Sequence, residues 1–336
     1  MARRAQLGIQ FNWLFVLIIG AIILAFFITL INNQQEKAGA EEATDLVESL
    51  DTVFTVINTE PDTYDAFPIP DAEVEFTCEP GLSQYYIQGA GPIDTTYDPI
   101  FTPDVLRGDT IMSWTMTWGI PFEVAVLTFL ANDRTLFVFA SDEQDGFVKA
   151  MADELPEQFP RQTTSVSNIG GALLERGYSR YVVITDKAVK SMVPTELWDV
   201  TYVRHINPLG NGIDSYGQIK FYDASTREVT EPYFTEALAW GAVFAQDADA
   251  YRCAANKTLI HLQVISTILE RRARAIAQEL GALSFCYDNF LLVADSFQDF
   301  ADDPSFDKAR TFHSHRQTIE NYQKISLRGY RCPDLY

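Results

Sequence analysis

Few residues of this chain are grouped in a way that does chemistry. His313-Ser314-His315 is the one close histidine pair. Positions i and i+2 of a helix point about 200° apart, so the two imidazoles share a metal ion only if the segment is extended. The nearby acids, Asp299, Asp302, Asp303 and Asp307, lack the Asp/Asn-Gly-Glu spacing of an EF-hand loop; Asp302, Asp303 and Asp307 read as caps of helix N-termini. The metalloprotease pattern H-E-x-x-H, the nucleophile elbow G-x-S-x-G and the phosphate cradles G-x-G-x-x-G and G-x-x-x-x-G-K-S/T are all absent. No metal or cofactor is expected on these grounds.

The remaining candidates are a pair of aspartates. Asp142 and Asp186 each follow a short apolar run, Thr135–Ala140 and Tyr181–Thr185, of the kind that fills a sheet covered on both faces. Sites in such sheets lie at the C-terminal ends of the strands, so Ser141-Asp142 and Thr185-Asp186-Lys187 can face one crevice as a carboxylate pair. An aspartate after a strand is also an ordinary helix cap, and that is the reading adopted for both. Arg271, Arg272 and Arg274, beside Glu270 and Glu279, read as a solvated basic face. Asn256-Lys257-Thr258 is a glycosylation sequon on a helical pattern, and Asn207–Gly217 is a turn-rich loop.

The pattern of residues assigns the elements that must carry these groups. Between 61 and 133 eight prolines exclude long helices, and Met112, Trp114, Met116 and Trp118 alternate with Ser113, Thr115 and Thr117, which puts four large side chains on one buried face. From 134 to 234 strands and helices alternate as a small, doubly wound α/β domain, with helices expected at Phe147–Leu155 and Ile169–Arg176 and further strands at Val200–Ile206 and Gln218–Tyr222. From 235 to 336 the chain reads as a disulfide-linked helical hairpin or bundle, with helices over Asn256–Leu280, Asn289–Ala301 and Phe306–Leu327. The fold class is therefore mixed α and β.

Residues 1–60 supply the location. Phe11–Ile31 is an unbroken run of mostly apolar residues, and at about 1.5 Å per residue a helix of that length crosses a hydrocarbon core of roughly 30 Å. Ala38-Gly39-Ala40 has the form of a signal-peptidase site, but it lies well past a run longer than the usual signal core, so the span is expected to be retained as an anchor. Arg3 and Arg4 precede it, while Glu36, Lys37, Glu41, Glu42 and Asp45 follow, which puts residues 1–10 in the cytoplasm and everything after the span outside. Residues 32–60 continue as an amphipathic stalk whose stripe, Ala43, Leu46, Val47, Leu50, Val53, Phe54 and Ile57, is expected to pack on the protein's own globular part.

Charge and cysteine usage agree with that placement. The chain of 336 residues carries 25 Lys+Arg against 46 Asp+Glu, a net −21. Nucleic acid is excluded as a partner, because phosphate binding draws on clustered cations. The acidity is local: residues 32–256 hold thirteen basic and thirty-six acidic side chains, a sum of −23, whereas 257–332 hold ten and nine, a sum of +1. Cys78, Cys253, Cys286 and Cys332 allow three pairings, with no C-x-x-C pair among them. A straight helix over Asn256–Leu280 is about 36 Å long, so Cys253 and Cys286 lie at opposite ends, beyond the roughly 7 Å reach of a disulfide. The returning hairpin brings Cys332 toward Cys286, which leaves Cys78 to pair with Cys253.

Two resemblances follow from these residues. Arg3-Arg4-Ala5-Gln6 ahead of an apolar helix resembles the opening of archaeal type IV pilin-like proteins, in which a peptidase cuts between a small residue and Gln; the fifth residue after such a cut is usually Glu and here is Gln10. The whole chain is similar to a group of archaeal single-span membrane-anchored proteins of uncharacterised activity, which open with Gln-Phe-Asn-Trp (here Gln10–Trp13) and carry a stretch like Gly241-Ala242-Val243-Phe244 through Tyr251-Arg252-Cys253. The resemblance implies an outward-facing, anchored domain. Together these readings predict a non-catalytic binding or cell-envelope module whose partners are the lipid bilayer and an envelope or surface protein. A pilin-like filament subunit and an ectoenzyme, a hydrolase using the strand ends, are the alternatives.

Overall fold

The computed structural model describes residues 16–29, 50, most of 61–311, and 335. Residues 16–29 form helix α1, in which every residue is exposed, from Val16 at 70 % to Ile19 at 40 % among its large apolar side chains. Among the described residues no helix is long and apolar enough to cross a membrane; residues 11–15 and 30–31, the ends of the expected span, lie outside them. Of the stalk only Leu50 is described, and it is helical and buried in a core with Val74, Tyr85, Ile87, Leu106 and Leu130.

The β-rich segment makes two sheets. Its strands are β1 (Tyr64–Pro68), β2 (Glu73–Glu79), β3 (Leu82–Ile87), β4 (Ile93–Asp94), β5 (Ile100–Phe101), β6 (Val105–Arg107), β7 (Thr110–Gly119) and β8 (Glu123–Asn132). The order β1-β7-β8-β5 forms one sheet and β4-β3-β2-β6 the other. Period-two alternation works here as expected: Trp118 is fully buried, Trp114 and Met112 nearly so, and Met116 packs on the same core.

The third sheet is built from β9 (Thr135–Ala140), helix α2 (Phe147–Glu154), β10 (Arg161–Thr164), the short helix α3 (Ile169–Ala172), β11 (Arg180–Thr185), β12 (Val200–Leu209), β13 (Tyr216–Tyr222) and β14 (Glu228–Phe234), in the order β10-β9-β11-β12-β13-β14. The first four strands are parallel and the last two antiparallel. Helix α2 packs into the main core through Val148 and Met151, whereas α3 covers the opposite face through Ile169 and Ala172 over Val138 and Val183. Crossovers on both faces make the sheet doubly wound. The helix expected over Ile169–Arg176 is shorter, because a 3₁₀ turn at Val166–Asn168 occupies its entry. The expected loop at Asn207–Gly217 is also shorter: β12 runs on to Leu209 with a register shift after Ile206, which is where Pro208, lacking an N–H, interrupts the ladder.

Helix α4 (Thr235–Phe244) departs from the expected C-terminal bundle. Nearly every residue of it is buried, and it lies between the first and third sheets: Trp240 meets Trp114 at 5.0 Å and Phe139 at 6.4 Å between ring centroids. Beyond Thr235 and Glu236 the helix is apolar all round and has no polar face to give to solvent, so it fills the centre of the core. Gly241 permits this, because a Cβ there would stand 2.6 Å from the Phe101 ring. The entry is strained, since the β-branched Thr235 adopts φ 66°.

Helices α5 (Ala248–Leu280) and α6 (Phe285–Asp302) form the hairpin. Asp247 caps α5 by accepting from the N–H groups of Asp249 and Ala250, both at 2.9 Å, and Gly281 at φ 72° ends it. Arg274 bonds Asp295 at 3.0 Å and Gln298 at 2.6 Å, so part of the expected solvated basic face instead ties α5 to α6; Arg271 and Arg272 are exposed. The turn after α6 is capped by Ser305, whose Oγ accepts from Lys308 N at 3.4 Å; Asp302 is the last residue of α6 and Asp303 its C-cap, which corrects the N-cap reading of those two aspartates.

Two side chains of α5 fasten it to the β-rich segment. Cys253 is disulfide-bonded to Cys78 with a Cα–Cα distance of 5.9 Å. One turn on, the buried Lys257 donates to the main-chain carbonyls of Thr95 at 2.7 Å and Asp98 at 2.9 Å, and burial pulls its pKa down to about 8 despite Asp98 and Asp94. Cys286 is also disulfide-bonded; Cys332 lies outside the described residues, as does Phe306–Leu327 beyond its first turn.

Candidate functional site

The doubly wound sheet changes winding direction between β9 and β11, and the two aspartates stand there. Register sets their level: Ala140 pairs with Thr185 and with Thr164, and Thr185 with Arg204. One residue further, Ser141, Asp186 and His205 form the next row across three neighbouring strands. In parallel strands such a row projects from one face, which here is the face covered by α2.

The carboxylates are cross-linked, each to the other's neighbour. Ser141 Oγ donates to Asp186 Oδ2 at 3.3 Å, and Lys187 Nζ donates to Asp142 Oδ2 at 2.8 Å. Asp142 Oδ1 accepts from Val166 N at 3.1 Å, and these two donors, Lys187 first, hold its carboxyl below the usual range. Arg204 Nε donates to the main-chain oxygen of Asp186 at 3.1 Å. For Asp142 the cap reading is therefore corrected. Asp142 does not cap the helix that follows it but the turn after the neighbouring strand β10; the N-cap of α2 is Gly146, with no side-chain bond. Asp186 Oδ1 is buried without any hydrogen-bond partner.

His205 completes the row and was not singled out from the sequence, where a lone histidine in a strand gives no signal. It is 2 % exposed, and neither ring nitrogen has a partner. Its ring lies 5.0 Å from that of Phe147, the first residue of α2, and 5.8 Å from that of Tyr233. Burial alone pushes its pKa down from 6.5 to about 3. The imidazole is thus neutral in the fold, and between pH 6.5 and 3 the unfolded chain binds more protons. Stability is then full above pH 6.5 and falls by up to about 1.4 kcal/mol per pH unit below it. His205→Leu, close in volume and without polar atoms, should abolish this slope: wild type should lose about 2 kcal/mol more than the variant between pH 7 and pH 5 in urea unfolding. Equal slopes for the two proteins would mean that His205 does not control the acid response.

The other candidates do not converge here. His313 and His315 lie outside the described residues, and among the described residues no group of three or more His, Cys, Asp or Glu side chains is placed to hold a metal ion. In the sequon, Asn256 is exposed but Thr258 is fully buried within α5, bonded to Ala255 O at 2.6 Å. A second acidic contact, Glu154 beside Glu236, takes a bond from Trp240 Nε1 at 3.1 Å, and partial burial followed by Glu236 raises the Glu154 pKa. The group that the fold assembles is Ser141, Asp142, Asp186, Lys187, Arg204 and His205. No protein-family model, curated protein or solved structure matches the chain, so the site stands on its own geometry.

Proposed function

We propose that the protein is a non-catalytic binding or cell-envelope module, held on the outer side of a membrane by its N-terminal helix, with the bilayer and an envelope or surface protein as partners. The observation that carries the reading is α1: ten large apolar side chains, Val16 through Ile28, are each at least 40 % exposed. At about 25 cal/mol per Å² such a surface is costly in water and favourable in hydrocarbon. The body that follows suits an oxidising, aqueous exterior, with −23 over residues 32–256 and a disulfide joining Cys78 to Cys253. The mutual hydrogen bonding of the strand-end groups supports binding over catalysis, since Ser141 and Lys187 each bond the carboxylate of the neighbouring strand end.

Topology tests the reading. In intact cells a cysteine introduced at Ser49 should react with a membrane-impermeant maleimide, and one at Ala5 should not. The reverse pattern would overturn it. Sequencing of the mature N-terminus separates the pilin-like alternative, which requires a chain beginning at Gln6.

A further inference from the structure

We propose that the outward face of helix α5 docks on the outer surface of the bilayer, with Ile260, Val264 and Ile268 in the interfacial layer and Arg271 and Arg272 on lipid phosphates. The inference rests on the anchored reading above and adds a second contact to it. Outside α1, six large apolar side chains of the described residues are exposed, and three of them stand in one row on α5: Ile260 at 48 %, Val264 at 56 % and Ile268 at 59 %. At about 3.6 residues per turn these three span about 80° of the helix; Arg271 and Ala275, both exposed, fall within the same arc, and the exposed Arg272 borders it. Leu262, Leu269 and Ala273, which enter the core, lie on the opposite side of the helix. Packing of the fold therefore leaves this stripe uncovered, and an exposed apolar stripe edged by arginines is the pattern of a helix that lies on a lipid surface.

Charge selects the occupant. Between Asp249 and Glu279 the only acid of α5 is Glu270, and it is bonded to Arg274. Asp249 and Glu279 themselves stand about 16 Å beyond the two ends of the stripe, and Asp249 is paired with Arg252. On α6, Asp295 and Asp299 are paired with Arg274 and Lys308, and Asp288 lies in the first turn, at the Gly281 end. Asp302 follows Ala301, whose oxygen takes a bond from Gln263, and Gln263 lies about 100° around α5 from the middle of the stripe. The ions on the stripe itself are thus two arginines, in a chain whose residues 32–256 sum to −23. An anionic lipid surface attracts this face and repels the rest of the body. A second copy of the chain fits less well: two stripes paired antiparallel about Val264 set Arg272 opposite Asn256 and Arg271 opposite the buried Lys257, and neither arginine meets an acid.

The stripe also lies near the point where the anchor joins the body. Leu50 packs with Val74 of β2. Cys78, about 13 Å further along that strand, is bonded to Cys253, and Ile260 follows about 10 Å along α5. Leu50 is nineteen residues beyond Ile31, the end of the expected span, a tether that reaches at most about 65 Å even when extended. A tether of this kind gives the bilayer surface an effective concentration of about millimolar at the stripe, enough for a patch that is weak in free solution.

The test uses the full-length protein in phosphatidylcholine nanodiscs, one copy per disc, with a single cysteine introduced at Val264, Leu174 or Ile22 and labelled with an environment-sensitive fluorophore. Leu174 is the control: it is 73 % exposed and follows α3, on the face of the third sheet opposite the core that α5 joins. A lipid with a nitroxide high on its acyl chain should quench the Val264 label at least about twofold, as for a helix seated about 5–10 Å into the interface, and should leave the Leu174 label unchanged. Ile260→Asp/Ile268→Asp should abolish the quenching at Val264. Arg271→Gln/Arg272→Gln should remove its increase when phosphatidylglycerol is added. Equal quenching at Val264 and Leu174 would overturn the proposal, and so would a blue-shifted Val264 label that the nitroxide lipid does not quench, since a protein surface would then cover the stripe. If the aspartate variant fails to fold, the comparison of Val264 with Leu174 still decides, because both of those proteins keep Ile260, Ile268 and the two arginines. The Ile22 label, read with a nitroxide deep in the acyl chain, reports the anchor. Loss of quenching there alone strikes the anchored reading, whereas loss at Val264 alone strikes the docking.

Discussion

Replacing Arg180 with alanine should destabilise the fold by about 3–5 kcal/mol, the range for removing one partner from a buried charged network. Arg180 opens β11, is 3 % exposed, and spends its guanidinium entirely inside the protein. Nη1 bonds Asp199 Oδ1 at 2.8 Å and also Gln246, while Nη2 bonds Thr201 Oγ1 at 3.0 Å and Ala245 O at 3.4 Å. Burial lowers its pKa, with Asp199 and then Asp104 opposing. One side chain thus joins two central strands to the junction between α4 and α5. Arg180→Lys keeps the charge but not the fork, and should recover only part of the loss. Chemical denaturation of the three proteins at pH 7 measures this. A change below 1 kcal/mol for Arg180→Ala would show that solvent or a rearranged neighbour replaces the network.

The double substitution Cys78→Ser/Cys253→Ser should cost about 4–5 kcal/mol at most. The two cysteines are 175 residues apart, and in the chain-entropy account a cross-link closing a loop of that length removes the most freedom from the unfolded chain. Lys257 still grips Thr95 and Asp98 in the variant, so α5 should stay docked on the second sheet and the loss should be read mainly from the unfolded side. The variant, rather than a reductant, is the clean test, because Cys286 is also oxidised. An unfolding midpoint equal to that of wild type would mean that the bond adds nothing to the docking already provided by the helix. Peptide mapping without reduction should recover Cys78 joined to Cys253.

Much of this protein is local, and local features are legible in a sequence. The buried parallel strands Thr135–Ala140 and Arg180–Thr185 announce themselves as apolar runs because both of their faces are covered. The long helix α5 follows over Asn256–Leu280 from its three- and four-residue apolar steps, and its end from Gly281, because hydrogen bonds within a helix depend only on neighbours in the chain; its start at Ala248, capped by Asp247, lies ahead of that stripe and is not legible in it. The pairing of Cys78 with Cys253 follows by elimination once helix length separates Cys253 from Cys286 and a returning hairpin is taken to bring Cys332 toward Cys286. The apolar run Phe11–Ile31 is likewise read from the sequence alone, as an expected span that needs no tertiary contact to be noticed.

Tertiary structure decided the rest, for the reason that the relevant partners are far apart in sequence. Helix α4 looks like the start of a C-terminal bundle until Trp114 and Phe139, from two different sheets, close on Trp240. Asp142 looks like a cap for the helix after it, and instead serves Val166, 24 residues on, because register brings β10 beside β9. His205 and Arg204 carry no signal in the sequence at all. Only the parallel pairing of β12 with β11 puts them level with Asp186 and Thr185, where one is left buried without a partner and the other turns its guanidinium to the strand ends. Periodicity tells a side chain which face it occupies; what stands beside it on that face is set by strand order and register, which the linear chain does not encode locally.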